Sequence, residues 1–167
     1  DAGKAGDEDD LVDRQLLQLR QRGEAGAEPV SEEYITALYQ RCKETGAMFI
    51  ADEIQTGFGR TGKFFACMHY GITPDILLIA KGMGGGMPIG AFMSSLPLMR
   101  TLSDAPVLGH ITTFGGHPVS CAAATACFDI IHTLDIETRI PQMETQIRGL
   151  LKHPAIKSIS GKGFLLA

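Results

Sequence analysis

Three short apolar runs constrain the fold of this chain more than any other feature: Ala47-Met48-Phe49-Ile50-Ala51, Ile76-Leu77-Leu78-Ile79-Ala80 behind Asp75, and Ala91-Phe92-Met93-Ser94. Each is continuous rather than alternating and too short for a typical helix, the pattern of a buried strand. The first stops on Asp52-Glu53, and the second delivers Lys81 directly into Gly82-Met83-Gly84-Gly85-Gly86. Helical patterns surround them. Ser31, followed by Glu32 and Glu33, opens a stretch in which Tyr34, Ile35, Leu38, Tyr39 and Cys42 recur at three and four, ending near Thr45-Gly46. The pattern predicts a short helix around Phe64 to His69 and a helical or irregular piece from Leu96 to Leu102. Farther on it predicts a buried helix over Val119–Thr133 behind Pro118, another helix over Ile136–Leu151 and a last strand at Ile156–Ile159. Strands alternating with helices give an α/β class.

With 167 residues, 44% of them apolar and 20% charged, the chain is of single-domain size and can bury a sizeable core. Fifteen Lys plus Arg against nineteen Asp plus Glu give 15 − 19 = −4, so no basic field exists to draw nucleic acid or an acidic membrane surface. No run approaches the roughly 18 apolar residues of a membrane span. The acidic, Gly/Ala-rich start, Asp1 to Asp10, is unlike a signal peptide. The expectation is a cytoplasmic protein without nucleic-acid or membrane partners. Cys42, Cys67, Cys121 and Cys127 form no Cys-x-x-Cys pair and read as buried reduced thiols. Among His69, His110, His117, His132 and His153 no two stand at the i, i+4 spacing of a helical metal site, so no metal is expected.

Two glycine-rich loops invite a nucleotide reading and do not support it. Gly57-x-Gly59-x-x-Gly62 follows a strand, but Gln55-Thr56 intervene, and Asp75 stands at the start of the next strand, where a ribose-binding acid would close it. The Gly82 to Gly90 loop has no closing Gly-Lys-Ser/Thr. Lys81 is more informative. A lysine leaving a buried strand is placed for partial desolvation, which lowers an amine's pKa and frees it to form a Schiff base with a carbonyl such as pyridoxal phosphate. A strand-end lysine that snorkels to solvent fits the same position. Asp52, at the end of a neighbouring strand, is the type of carboxylate that pairs with a pyridine nitrogen, although it also reads as a strand terminator.

The segments Asp52-Glu53-Ile54-Gln55-Thr56-Gly57-Phe58-Gly59-Arg60-Thr61-Gly62, Pro74-Asp75-Ile76 with Lys81-Gly82 and Pro88-Ile89-Gly90-Ala91, and His110 with Thr113-Phe114-Gly115-Gly116 and Pro118 together resemble the class III pyridoxal-phosphate aminotransferases, the group of acetylornithine, ornithine and 4-aminobutyrate aminotransferases. The resemblance covers roughly Ser31 to Ala167. It implies part of the large domain of a fold-type-I transferase, with a mostly parallel sheet and flanking helices. It also implies pyridoxal 5'-phosphate as cofactor, an amino donor and a 2-oxo acid as substrates, and a homodimer with active sites at the interface. By motif position Asp52 would pair with the pyridine nitrogen, Ile54 would pack on the ring and Gln55 would bond near the ring oxygen. Lys81 would bind the cofactor aldehyde and shuttle the proton, and Thr113 would contact the phosphate across the dimer interface.

The chain departs from the family in places. His117 stands where the family usually has Asn, and Leu19-Arg20-Gln21-Arg22 replaces its usual Glu-Pro-x-Gln before Gly23-Glu24-Ala25-Gly26. Residues 1–22 are therefore expected to be irregular and foreign to the family. Residues 23–135 are expected to form the central large domain, and 136–167 a connecting helix and the start of a small domain. The family's phosphate cup, ring-stacking aromatic and substrate-carboxylate arginine find no counterpart, which predicts a partial chain of weak or no activity. A non-catalytic dimerising module and another pyridoxal reaction, an aminomutase or decarboxylase, are the alternatives.

Overall fold

A computed structural model of the chain describes residues 27–104, 107 and 111–167, so segment 1–22 and His110 lie outside the described residues. Helix α1 (Glu32–Thr45) forms where the sequence predicts it. Ser31 Oγ accepts from the Tyr34 N–H at 3.3 Å, Glu32 and Glu33 occupy the first turn where carboxylates favour the helix dipole, and Gly46 ends the helix at φ +75°. Ile35 and Cys42 of α1 are buried with Phe49 and Ile72, and Leu38, Tyr39 and Tyr70 pack around them. Each such apolar side chain, fully buried, contributes about 2 kcal/mol, so this cluster binds α1 to the sheet.

The sheet has the order β1 (Ile50–Asp52), β2 (Ile76–Ile79), β3 (Ala91–Ser94). β1 and β2 are parallel with Asp52 opposite Leu78, whereas β2 and β3 are antiparallel with Ile79 opposite Ala91. The described sheet thus has one parallel and one antiparallel pair. The reason lies in the connections: β1 reaches β2 through a long crossover containing a 3₁₀ turn (Ala66–Tyr70), but β2 returns through one glycine-rich loop with no α-helix to carry the chain back. Asp75 pins the entry to β2. Its Oδ2 accepts from the Phe49 N–H at 2.8 Å, its Oδ1 from Lys43 Nζ at 2.9 Å, and its own N–H donates to the Phe49 carbonyl.

Helices α2 (Leu96–Arg100), α3 (Pro118–Thr133) and α4 (Ile136–Leu150) follow. Pro118 occupies the first turn of α3, as its missing N–H permits. The expectation that α3 is buried needs correction: only its Ser120 is buried, and Val119, Phe128 and Ile130 are 57%, 48% and 61% exposed. Small apolar residues forecast a covered helix, but within the described chain α3 rests mainly on the turn that follows β2. The predicted strand at Ile156–Ile159 is not formed either. The pairing lies later, between β4 (Gly161–Lys162) and β5 (Leu165–Leu166) about a turn at Gly163 (φ +62°), and it ends on the mutual Ser160–Ala167 backbone bonds, so among the described residues no strand stands opposite Ile156–Ile159. All four cysteines are free thiols, but only Cys42 is buried, the other three being half-buried. Among the described residues no single helix is long and apolar enough to cross a membrane.

Candidate active site

The carboxyl ends of parallel strands are where ligands bind in α/β sheets, and here β1 and β2 end on a cavity of ≈ 450 Å³. Asp52, Ile54, Gln55 and Lys81 all line it, so the structure brings together four of the five residues singled out from sequence. The last rung of the strand pair, Glu53 N–H to the Leu78 carbonyl at 2.9 Å, lies between the acid and the lysine along the two backbones.

Asp52 is half-buried. One of its oxygens accepts from the Ile54 N–H at 3.1 Å, and the other has no protein partner among the described residues. Lys81 likewise forms no ion pair or hydrogen bond through Nζ among the described residues, and it is exposed rather than desolvated, which corrects the sequence expectation for its surroundings. Its backbone is unusual. Lys81 has φ +46° at the point where β2 turns into a short 3₁₀ segment (Lys81–Gly84), a conformation that costs a non-glycine residue about 1–2 kcal/mol.

Glu53, next to Asp52, is the carboxylate the sequence left as a mere strand terminator. It is only 2% exposed. Its Oε1 accepts from the Cys67 N–H at 2.7 Å, its Oε2 accepts from the Thr56 hydroxyl, and its carbonyl accepts from the Gly57 N–H. Gly57 is tight there, since a Cβ would stand 2.8 Å from that carbonyl. Glu53 thereby ties the glycine-rich loop and the 3₁₀ turn to the end of β1. Burial and the Glu53 charge push the Cys67 thiol up to about 12, so it stays protonated at neutral pH. The same loop docks on α4, with Gly59 (φ +83°) against Ile136 and Gly62 (φ +94°) against Pro141. No helix opens at Gly62, as a dinucleotide fingerprint would require.

His69 also lines the cavity. Its Nε2 lies 3.1 Å from both the Thr61 hydroxyl and the Thr61 carbonyl, and burial, with Lys162 nearby, holds it below its ordinary pKa. Nothing in the sequence singled out His69, because the pairing joins a loop to a turn with no periodic signature. Thr113 is the fifth candidate, and it stands apart. It lines a second cavity of ≈ 430 Å³ with Gly115, Gly116, His117 and Ser120, and does not reach the Lys81 cavity within this chain. Among the described residues no cluster of three or more His, Cys, Asp or Glu could hold a metal ion.

The family model described as aminotransferase class-III matches residues 21–167. The chain belongs to the class-III aminotransferase family. Among curated class-III relatives, acetylornithine aminotransferase of Bacillus subtilis is 39% identical over 165 residues, covering 96% of this chain and 42% of that protein. Putrescine aminotransferase of Pectobacterium atrosepticum is 47% identical over 131 residues, covering 77% and 28%. The class-III chain described here therefore spans less than half the length of either relative. Among solved structures, ornithine aminotransferase of Toxoplasma gondii, described with partial occupancy of PLP at its active site, gives a TM-score of 0.72 at 35% identity, covering 80% of this chain and 32% of that one. Ornithine delta-aminotransferase of Plasmodium falciparum gives 0.74 at 32%, covering 86% and 39%. The α/β arrangement is that of the fold-type-I aminotransferases.

Proposed function

We propose that the whole protein is a transaminase, moving an amino group from an ornithine-, acetylornithine- or 4-aminobutyrate-like donor to a 2-oxo acid with pyridoxal phosphate bound at Lys81. The observation that carries this reading is the placing of Asp52 and Lys81 at the ends of two adjacent parallel strands on one cavity. Family membership supports the chemistry, and the named acetylornithine, putrescine and ornithine aminotransferases support the donor class.

The residues fit the cofactor. The unpartnered oxygen of half-buried Asp52 suits a protonated ring nitrogen, because a charge-assisted hydrogen bond would satisfy both. Pyridoxal phosphate, when bound, supplies an electron sink for the substrate carbon. Asp52 would keep the ring nitrogen protonated. Ile54 would hold the ring face and exclude water, and Gln55 would bond near the ring oxygen. Lys81 Nζ would bind the cofactor aldehyde carbon, then take and return the proton at the substrate carbon. Thr113 would hold the phosphate from a second copy, a homodimeric role suited to its distance from the Lys81 cavity and to the exposed Ile111, Phe114 and Val119 beside it. The proposal takes residues 23–135 as central large domain and 136–167 as the link to a small domain, in a cytoplasmic setting that the four free thiols suit. Stretch 1–167 by itself is expected to turn over slowly or not at all, since loose positioning costs rate steeply.

The test loads the full-length protein with pyridoxal phosphate, reduces it with borohydride and maps the adduct by peptide mass spectrometry. A single adduct on Lys81, absent in Lys81→Ala, is expected, with transfer from ornithine to 2-oxoglutarate falling at least about 10³-fold in that variant. Modification scattered over surface lysines would sink the reading.

A further inference from the structure

Among the described non-glycine residues only Phe58 (φ +56°) and Lys81 (φ +46°) have left-handed backbones, and the two meet at Gly82. A Cβ built on Gly82 would lie 3.4 Å from Phe58 Cβ, 3.8 Å from Cγ and 3.9 Å from Cδ2, so the Phe58 side chain covers the Gly82 α-carbon. That ring is itself fixed. Its centroid lies 5.4 Å from Phe64 and 5.9 Å from Phe65, and Phe64 packs in turn on Phe128 of α3 at 5.1 Å. From its other side α3 reaches the same glycine: Cys127 Sγ donates to the Gly82 carbonyl at 3.1 Å. Gly85, at φ +57°, faces the same helix, where a Cβ would stand in ordinary contact at 3.4 Å from Cys127 Cβ and 3.6 Å from the Ala123 carbonyl.

We propose that Phe58 and Cys127 are positioning residues for the Lys81 amine, gripping Gly82 by its α-carbon and its carbonyl so that the Lys81 backbone stays left-handed. The inference rests on the reading of Lys81 as the cofactor-binding lysine. A strained residue persists only where its surroundings over-determine it, and among the described residues Lys81 has no side-chain bond of its own to hold it. The restraint must come through the backbone. Gly82 is the next residue, so fixing both its α-carbon and its carbonyl limits the rotations by which Lys81 could relax. Relaxation to an ordinary φ would swing the Lys81 side chain away from the cavity that it lines with Asp52. Neither Phe58 nor Cys127 lines the Lys81 cavity, so each acts through the backbone and not on the amine directly.

The test compares full-length wild type with Phe58→Ala, Cys127→Ala and Cys127→Ser. Two quantities are read: the rate of borohydride-trapped pyridoxal phosphate at Lys81, mapped by peptide mass spectrometry, and the pH midpoint of the bound cofactor's visible absorbance. Phe58→Ala and Cys127→Ala are expected to slow trapping roughly tenfold and to move the midpoint by about half a unit, because the amine samples misaligned positions. Cys127→Ser keeps a donor on the Gly82 carbonyl and is expected to restore both. Should Phe58→Ala fail to fold, the Cys127 pair decides, since removing one thiol from a half-buried helix position leaves a good helix former in place. Wild-type trapping and midpoint in Cys127→Ala and in folded Phe58→Ala, even with lower melting temperatures, would overturn the inference and leave both residues as packing. Absence of a Lys81 adduct in the unmutated protein would instead overturn the reading of Lys81, and the inference with it.

Discussion

Asp52 and Glu53 are neighbours of like chemistry with opposite fates. Among the described residues Asp52 keeps an oxygen without a protein partner, while Glu53 places both of its oxygens on Cys67 and Thr56. Replacing Glu53 by Ala leaves the Cys67 N–H and the Thr56 hydroxyl without their acceptor, and a buried unsatisfied group costs about 2 kcal/mol. Denaturant melts of Glu53→Ala are expected to show that loss and Glu53→Gln a smaller one, since its Nε2 can donate to the Thr56 hydroxyl, with Asp52→Asn showing little. Cys67, held near 12 by burial and by Glu53, is expected to resist alkylation in the folded protein at neutral pH and to react once denatured; mass spectrometry of timed iodoacetamide reactions checks it. His69 adds a pH dependence. Its folded pKa lies below the ordinary 6.5, so the unfolded chain takes the proton first. Its contribution is complete above about 6.5 and is lost as pH falls through the folded value. Thermal melts from neutral to mildly acidic pH are expected to fall less steeply in His69→Gln.

At the scale of elements, Asp75 joins α1, the segment before β1 and the start of β2 through Lys43, Phe49 and its own backbone. The Phe49 N–H, and then Lys43, hold its carboxyl below the ordinary 3.8, so its stabilisation is present above that value and is lost as pH falls through the folded pKa. Asp75→Asn is expected to cost about 1 kcal/mol at neutral pH, read from urea midpoints, with the difference from wild type closing in acid. Elements with a local signature were legible in the chain. Ser31 with its two glutamates announced α1, and continuous apolar runs announced β1, β2 and β3. The elements that were misread depend on partners distant in sequence. Ile156–Ile159 has the composition of a strand, but among the described residues no strand stands opposite it, the ladder ending at Ser160–Ala167. The apolar surface of α3 gave no sign of what lies against it.

For the whole molecule, the candidate site was legible to the extent that motifs follow the ends of the two paired strands, Asp52, Ile54 and Gln55 at β1 and Lys81 after β2. Thr113 showed no geometry in the sequence, and the structure assigns it to a separate cavity. Ile111, Phe114 and Val119 are 72%, 80% and 57% exposed near that cavity, a patch that association would cover. If two copies meet there, Phe114→Glu is expected to shift the full-length protein from dimer toward monomer in sedimentation velocity, with cofactor retention falling alongside. One last consequence follows from the parallel pairing of Asp52 with Leu78. The acid and the amine are spaced by peptide units counted along two adjacent strands, each unit about 3.3 Å. The sheet acts as a ruler, so the separation of the two groups is inherited from backbone register. A side-chain change around the cavity leaves that separation intact, whereas a slip of a single rung would move the amine by about 3.3 Å relative to Asp52, which the proposed sharing of one cofactor would not tolerate.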